Sequence, residues 1–252
     1  MTALKQRSGG APKTAMVLAA GLGTRMRPLT NTRPKALVEV AGRALIDHTL
    51  DRLVEAGVQT VVVNVHHFAD LMEAHLAKRA FPRILISDER DGLLDSAGGL
   101  IRALPLLGEE PFFVANTDNI WIEGECPALQ SLADLWDPAR MDICILLATR
   151  DRSSGFERPE GFVRDDEGRL THSNSVDPLP PFNNVGFQIV NPQVLQGLSD
   201  GAVSIVPTWK RLSAEGRLYG AVMDGFDMHI SDPDAREAAE HLLFLDAAKA
   251  PA

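Results

Sequence analysis

Four cations crowd a short stretch near the start of the chain, Arg25, Arg27, Arg33 and Lys35, and no carboxylate precedes Glu39. They follow the glycine-rich turn Gly21-Leu22-Gly23-Thr24, which comes directly after the apolar run of residues 15–20, AMVLAA. Glycines let a backbone turn sharply and bring its N–H groups against an oxyanion with no Cβ in the way. Arginine forks and lysine ammonium groups are the usual side-chain partners of phosphate. The segment is therefore expected to hold a small polyanion, with a phosphate ester the leading candidate. Through Val38 the chain carries seven Lys and Arg and no Asp or Glu; the remainder, with 18 Lys and Arg against 34 Asp and Glu, stands at −16. A net charge of −9 argues against a general nucleic-acid binder, whose footprint is basic.

A second candidate lies at Asn116-Thr117-Asp118-Asn119, which closes the apolar run of residues 111–115, PFFVA. A short buried strand ending in a carboxylate puts that oxygen at the carboxyl edge of a sheet, where open α/β folds bind ligands. Other patterns point away from particular chemistries. A dinucleotide fingerprint needs glycine where this chain has Met26 and a helix that Pro28 and Pro34 interrupt, and the ATPase loop needs a Gly-Lys-Ser/Thr that is absent. His66, His67 and His75 lack zinc-site spacing, and Asp165-Asp166-Glu167-Gly168 reads as a hairpin turn. Cys144 sits in the apolar run 143–147 and reads as a buried reduced thiol; Cys126 lies 18 positions earlier, in no metal spacing.

These residues must be positioned by a sheet. Apolar runs at 15–20, 60–65, 83–87, 111–115 and 143–148 read as buried strands, and amphipathic stretches at 44–56, 69–80, 97–104 and 128–136 as helices. Strands alternating with helices predict a doubly wound, mostly parallel α/β sheet. After Thr149 the pattern shortens at 161–164, 169–172 and 184–190, which predicts a small antiparallel lobe, and helices resume at 203–214 and 234–248. The chain, 252 residues and 45% hydrophobic, reads as one domain over residues 14–252 behind a loose tail at 1–13. No apolar run reaches the roughly 20 residues of a membrane span, and residues 1–13 lack the apolar stretch of a secretory signal, so a cytoplasmic location is expected.

The stretch Leu18-Ala19-Ala20-Gly21-Leu22-Gly23-Thr24-Arg25-Met26-Arg27-Pro28-Leu29-Thr30, followed by Arg33-Pro34-Lys35, resembles the signature of the sugar-1-phosphate nucleotidyltransferases. Their pattern, L-A-A-G-x-G-T-R-[ML]-x-P-L-T followed closely by P-K, is matched at every fixed position. The resemblance implies a Rossmann-like fold, with residues 14–149 binding a nucleoside triphosphate and residues 150–252 forming the sugar-binding lobe and C-terminal helices. It implies a reaction in which a sugar-1-phosphate oxygen attacks the α-phosphorus and expels pyrophosphate. Arg25 would then stabilise the β,γ-phosphates, Lys35 the α-phosphate region, and Asp118 would hold Mg²⁺, with Mn²⁺ as the alternative ion. Ala19, Gly21, Gly23, Thr24 and Thr117 would surround the nucleotide, Glu89 and the Gly98 backbone would meet the base, and Gly161 and Asn184 would face the sugar.

Two departures from the family pattern matter. The Glu-Lys-Pro element of the larger relatives is absent from residues 169–181, and Phe182-Asn183-Asn184-Val185-Gly186-Phe187 resembles the compact sugar loop of the N-acetylmuramic acid-1-phosphate uridylyltransferases. UTP and N-acetylmuramic acid 1-phosphate are accordingly the expected substrates, with mannose-1-phosphate guanylyl transfer, or a nucleotide-sugar sensor without turnover, as alternatives. The family's second metal aspartate, in Trp-x-Asp-x-Gly-Thr-Pro, aligns with His229 when Pro233 is the anchor, and Asp227 lies on the same face of a strand two residues earlier.

Overall fold

The computed structural model describes residues 10–156, 159–199 and 201–248, so most of the tail read at 1–13 lies outside the described residues. The central sheet starts from β1 (Thr14–Leu18), whose five residues are continuously apolar after Thr14. The next strands in the chain are the short hairpin β2 (Glu39–Val40) and β3 (Arg43–Ala44), then β4 (Thr60–Val65), β5 (Arg83–Asp88), β6 (Phe112–Asn116) and β7 (Asn119–Ile122). They are followed by β8 (Ile143–Thr149), β9 (Ser153–Ser154), β10 (Gly161–Arg164), β11 (Leu170–Ser173), β12 (Phe182–Val190), β13 (Leu218–Val222) and β14 (Phe226–His229). The helices are α1 (Leu45–Glu55), α2 (Ala69–Leu76), α3 (Asp95–Leu107), α4 (Ala128–Leu135), α5 (Val206–Ala214) and α6 (Pro233–Ala247).

β1 lies between β4 and β6 in parallel register, and β5 pairs parallel beyond β4. β12 enters antiparallel between β6 and β8, and β13 runs parallel to β8 at the far side. Side chains alternate between two cores: Ala15 and Val17 pack on one face with Leu50, Met72 and Leu132, and Met16 packs on the other with Leu100 and Leu212. Both faces being covered by helices explains why these strands read as unbroken apolar runs. Cys144 is in this interior, and burial pushes its thiol up to about 12.

The antiparallel lobe is continuous with this sheet. The β10–β11 hairpin, turning at Asp165–Gly168 as its composition foretold, joins the beginning of β12 at Phe162 opposite Phe182. The rest of β12 is buried core from Val185 to Val190, which is why residues 184–190 belong to the main sheet as well as to the lobe. A separate three-stranded sheet, β7–β14–β9, packs with α6 on Met26, Val38 and Val40, tying the cationic segment to the chain's last helix. Helix α2 stops earlier than the spacing foretold, α3 is longer, and β7 and β13 have no clear counterpart among the expected elements because each is a short run next to turn residues. Among the described residues no helix is long and apolar enough to cross a membrane.

Strand polarity decides where the ligands go. Parallel β1, β4, β5 and β6 present their carboxyl ends, Leu18, Val65, Asp88 and Asn116, along one edge. Since β12 is antiparallel to β6, the residues at which it enters the sheet, Asn184 to Gly186, come to that same edge.

Candidate active site

Two cavities adjoin at this edge and share Leu18, Ser96 and Asn116 in their walls. The first, about 510 Å³, is lined by Ala19, Gly21, Lys35, Asn64, Glu89, Thr117 and Asp118 among others. Lys35 begins a single 3₁₀ turn after Pro34, and its Nζ donates to Asp118 Oδ2 at 2.8 Å. Gly23 makes that position available: its φ is +59°, and a Cβ there would stand 2.8 Å from the Lys35 Cβ. Thr30 Oγ1 donates to the Gly23 carbonyl at 2.8 Å and pins the loop. The other carboxylate oxygen of Asp118, Oδ1, is buried with no partner. Burial pushes the Asp118 pKa upward most strongly, but the Lys35 charge, His229 and the Lys35 hydrogen bond together hold it below the usual carboxylate value.

At the far end of this cavity Asn64 bridges two strands' ends. Its Oδ1 accepts from the Ala19 N–H at 2.6 Å, and its Nδ2 donates to Glu89 Oε1 at 2.8 Å. Glu89 is buried, and burial raises its carboxyl above the ordinary range against the pull of that hydrogen bond. His66 Nδ1 donates to the Glu89 carbonyl at 2.7 Å. The Gly98 backbone, expected by resemblance to meet the base, has its N–H donating to the Val203 carbonyl at 3.0 Å, and a Cβ on Gly98 would meet the Gly201 carbonyl oxygen at 2.0 Å. The glycine serves the close approach of that segment to α3, and its N–H is spent.

The second cavity, about 370 Å³, is lined by Arg25, Phe156, Glu160, Gly161, Phe162, Asn184, Gln188, Trp209 and His229 among others. Phe156 stacks on the His229 ring with centroids 5.0 Å apart. Burial lowers the His229 pKa, helped by the Lys35 and Arg25 charges and opposed by Asp118, so the imidazole is neutral at pH 7. Arg25 has no ion-pair partner among the described residues, which leaves its guanidinium free for a ligand.

Asp227 and His229 do share a face of β14, and both approach Asn119, at 3.0 and 3.2 Å to its Nδ2 for Asp227 and 3.4 Å between Nδ1 and Oδ1 for His229. Only His229 reaches a cavity. Asp227 is wholly buried behind Asn119, and burial raises its carboxyl to about 8. Asp227 accepts from Asn119 and lies outside both cavity walls.

The structure thus gathers Ala19, Gly21, Lys35, Glu89, Thr117 and Asp118 on one cavity, and Arg25, Gly161, Asn184 and His229 on the other. Gly23, Thr24, Gly98 and Asp227 are in neither wall. Residues that sequence reasoning passed over include Asn64, Phe156, Glu160, Gln188 and Trp209. Asn64 and Gln188 carried a signal, each being a polar residue flanked by apolar neighbours within a strand.

Comparison with known proteins agrees with this arrangement. Residues 15–213 match the MobA-like NTP transferase domain. The chain belongs to the NTP transferase family. This NTP transferase is 54% identical over 234 residues to the N-acetylmuramate alpha-1-phosphate uridylyltransferase of Caulobacter vibrioides, covering 91% of the chain and 96% of that protein. It is 30% identical to the mannose-1-phosphate guanylyltransferase catalytic subunit beta of Drosophila melanogaster over 87% of the chain and 59% of that protein. The inositol-1-phosphate CTP transferase of T. maritima shares the fold, with a TM-score of 0.76 at 18% identity over 96% of this chain and 100% of that one. The chain is a nucleotidyltransferase of the sugar-1-phosphate class that its glycine-rich signature resembles.

Proposed function

We propose that this enzyme condenses UTP with N-acetylmuramic acid 1-phosphate to give the UDP-sugar and pyrophosphate. The single observation that carries the reaction type is the pair of adjoining cavities with Lys35 and Asp118 in one wall, Arg25 and His229 in the other, and Asn116 between them. The choice of substrates is supported by the 54% identical uridylyltransferase, against 30% for the guanylyltransferase.

The triphosphate occupies the cavity beside Ala19, Gly21 and Lys35, and the sugar phosphate occupies the other. A phosphate oxygen of the sugar-1-phosphate forms a bond to the α-phosphorus, the bond to the bridging β-oxygen breaks, and that electron pair leaves on pyrophosphate. Little covalent work falls to the protein, so catalysis is positioning and cationic stabilisation. Lys35, fixed on Asp118, stands at the α-phosphate end, and the unpaired Arg25 meets charge that builds up across the boundary. Asn64 holds Glu89 and the Ala19 backbone together where the base is bound.

The residues fit a divalent cation. Asp118 Oδ1 is a buried carboxylate oxygen with no donor, which suits a hard ion, and His229 faces the same region with a neutral ring. Among the described residues no group of three His, Cys, Asp or Glu converges there, so phosphate oxygens and water would complete the shell. Mg²⁺ held by Asp118 and His229 would draw charge from the phosphate oxygens. The reading is tested by pyrophosphate release over a grid of four nucleoside triphosphates and several sugar 1-phosphates. UTP with N-acetylmuramic acid 1-phosphate should give the highest kcat/KM; GTP with mannose 1-phosphate in first place would overturn it.

A further inference from the structure

The wall of the second cavity holds two carboxamides whose orientation is fixed by groups that only donate. The Trp209 indole N–H stands 3.0 Å from Gln188, and an indole nitrogen has no lone pair to offer, so the atom it meets is Oε1. Likewise the Gly186 N–H, 2.8 Å from Asn184, fixes that side chain's Oδ1. In both residues the NH₂ half is left over, with no acceptor among the described residues. Gln188 is only 7% exposed and lines the cavity, so its NH₂ is a donor open to a ligand.

The surroundings of Gln188 narrow what that acceptor is. Trp209 and Ile205 lie one turn apart at the start of α5, and Phe162 meets Trp209 edge-on at 5.6 Å, so this end of the cavity presents aromatic and aliphatic surface beside the amide, with the Ser96 hydroxyl accepting from the Ile205 N–H at 2.9 Å. Across the wall, Glu160 is held by the buried His172, 2.9 Å from its Oε1, and offers an acceptor. A carboxylate placed here would meet amide donors but also the Glu160 charge. A hydroxyl would use the donor but leave the aromatic and aliphatic surface empty. A neutral carbonyl bearing a methyl group uses both.

We propose that Gln188, oriented by Trp209, is a specificity-determining residue that binds the carbonyl oxygen of an N-acyl group on the sugar 1-phosphate, with Trp209, Ile205 and Phe162 receiving its methyl. This rests on the second cavity being the sugar-phosphate site. A site built to hydrogen-bond one substrate group rejects analogues lacking it far better than a purely apolar pocket does. Trp209 acts through Gln188 and is a positioning residue.

The experiment compares kcat/KM for N-acetylmuramic acid 1-phosphate and for the matched 1-phosphate in which hydroxyl replaces the 2-acetamido group, with UTP held saturating. Wild type should prefer the acetamido compound by about a hundredfold or more. Gln188→Met, similar in volume but without a donor, should reduce that preference at least roughly tenfold, mostly through KM for the sugar phosphate. Gln188→Glu keeps an acceptor for Trp209 and replaces the NH₂, so it should lose the preference as well and guards against a folding defect in the first variant. Trp209→Phe should lose part of it. A Gln188 variant that is slower on both compounds by the same factor would overturn the inference, as would a wild type indifferent to the acetamido group. No transfer by wild type to either compound would overturn the assignment of the cavity itself, a result distinct from the other two.

Discussion

Lys35 and Asp118, 83 positions apart in the sequence, meet at 2.8 Å in the wall of the first cavity, and their pairing leaves the second oxygen of Asp118 buried and without a donor. The lysine thereby has a fixed position before any substrate binds, and the carboxylate keeps one oxygen for a cation. Neither side chain is far from solvent, with 14% and 22% of their surfaces exposed, so both remain accessible to phosphate.

Removing either partner should cripple turnover while the fold survives. Asp118→Ala should lower kcat about a hundredfold or more, and Lys35→Ala should cost on the order of 3 kcal/mol of transition-state stabilisation. Arg43, which pairs with Asp51 away from both cavities, is the control. Steady-state rates with circular dichroism on each variant check this; equal mild losses at all three positions would contradict it.

The β14 pair separates by depth. His229→Ala should raise the Mg²⁺ concentration needed for half-maximal activity several-fold, whereas Asp227→Asn, buried behind Asn119, should leave that concentration near wild type and change the melting temperature instead. Metal titrations of both variants distinguish the two positions, and a larger metal effect at Asp227 would reverse the assignment.

Much of this was legible in the sequence because it is contiguous. Gly21 through Lys35 form one uninterrupted stretch, and Asp118 ends an apolar run, so strand polarity alone sends both to the same edge. The sugar wall was not legible in this way. Phe156, Glu160, Gln188 and Trp209 come from a loop, a hairpin, a core strand and a helix, and they converge only because β12 enters the sheet antiparallel between β6 and β8. The packing reason for Gly98 was hidden for a related reason: a glycine pair opening a helix does not by itself show that the carbonyl of Gly201 comes up against it.

That contact makes Gly98 sensitive. A methyl group 2.0 Å from the Gly201 oxygen has no room, and Gly98→Ala should destabilise the fold by about 1–3 kcal/mol as overpacked substitutions do. Urea unfolding measures it, and a wild-type midpoint would show that residues 201–203 yield easily.

Glu89 gives a pH signature. Its buried carboxyl titrates above the ordinary 4.5, so the folded chain holds this proton more tightly than the unfolded one. The stability this contributes is complete below 4.5 and is lost as pH rises from there through the folded value. Glu89→Gln keeps an oxygen for Asn64 and does not ionise. Thermal melts at intervals from pH 5 to pH 9 should therefore show the variant gaining on wild type as pH rises; a constant difference would contradict the burial argument.

The most direct measurement is mass-spectrometric identification of the product formed by the wild-type chain from UTP and N-acetylmuramic acid 1-phosphate with Mg²⁺ and pyrophosphatase. The expected result is UDP-N-acetylmuramic acid, reduced about a hundredfold or more with Asp118→Ala or Lys35→Ala. UTP left intact, or hydrolysed with no sugar nucleotide formed, would contradict the account.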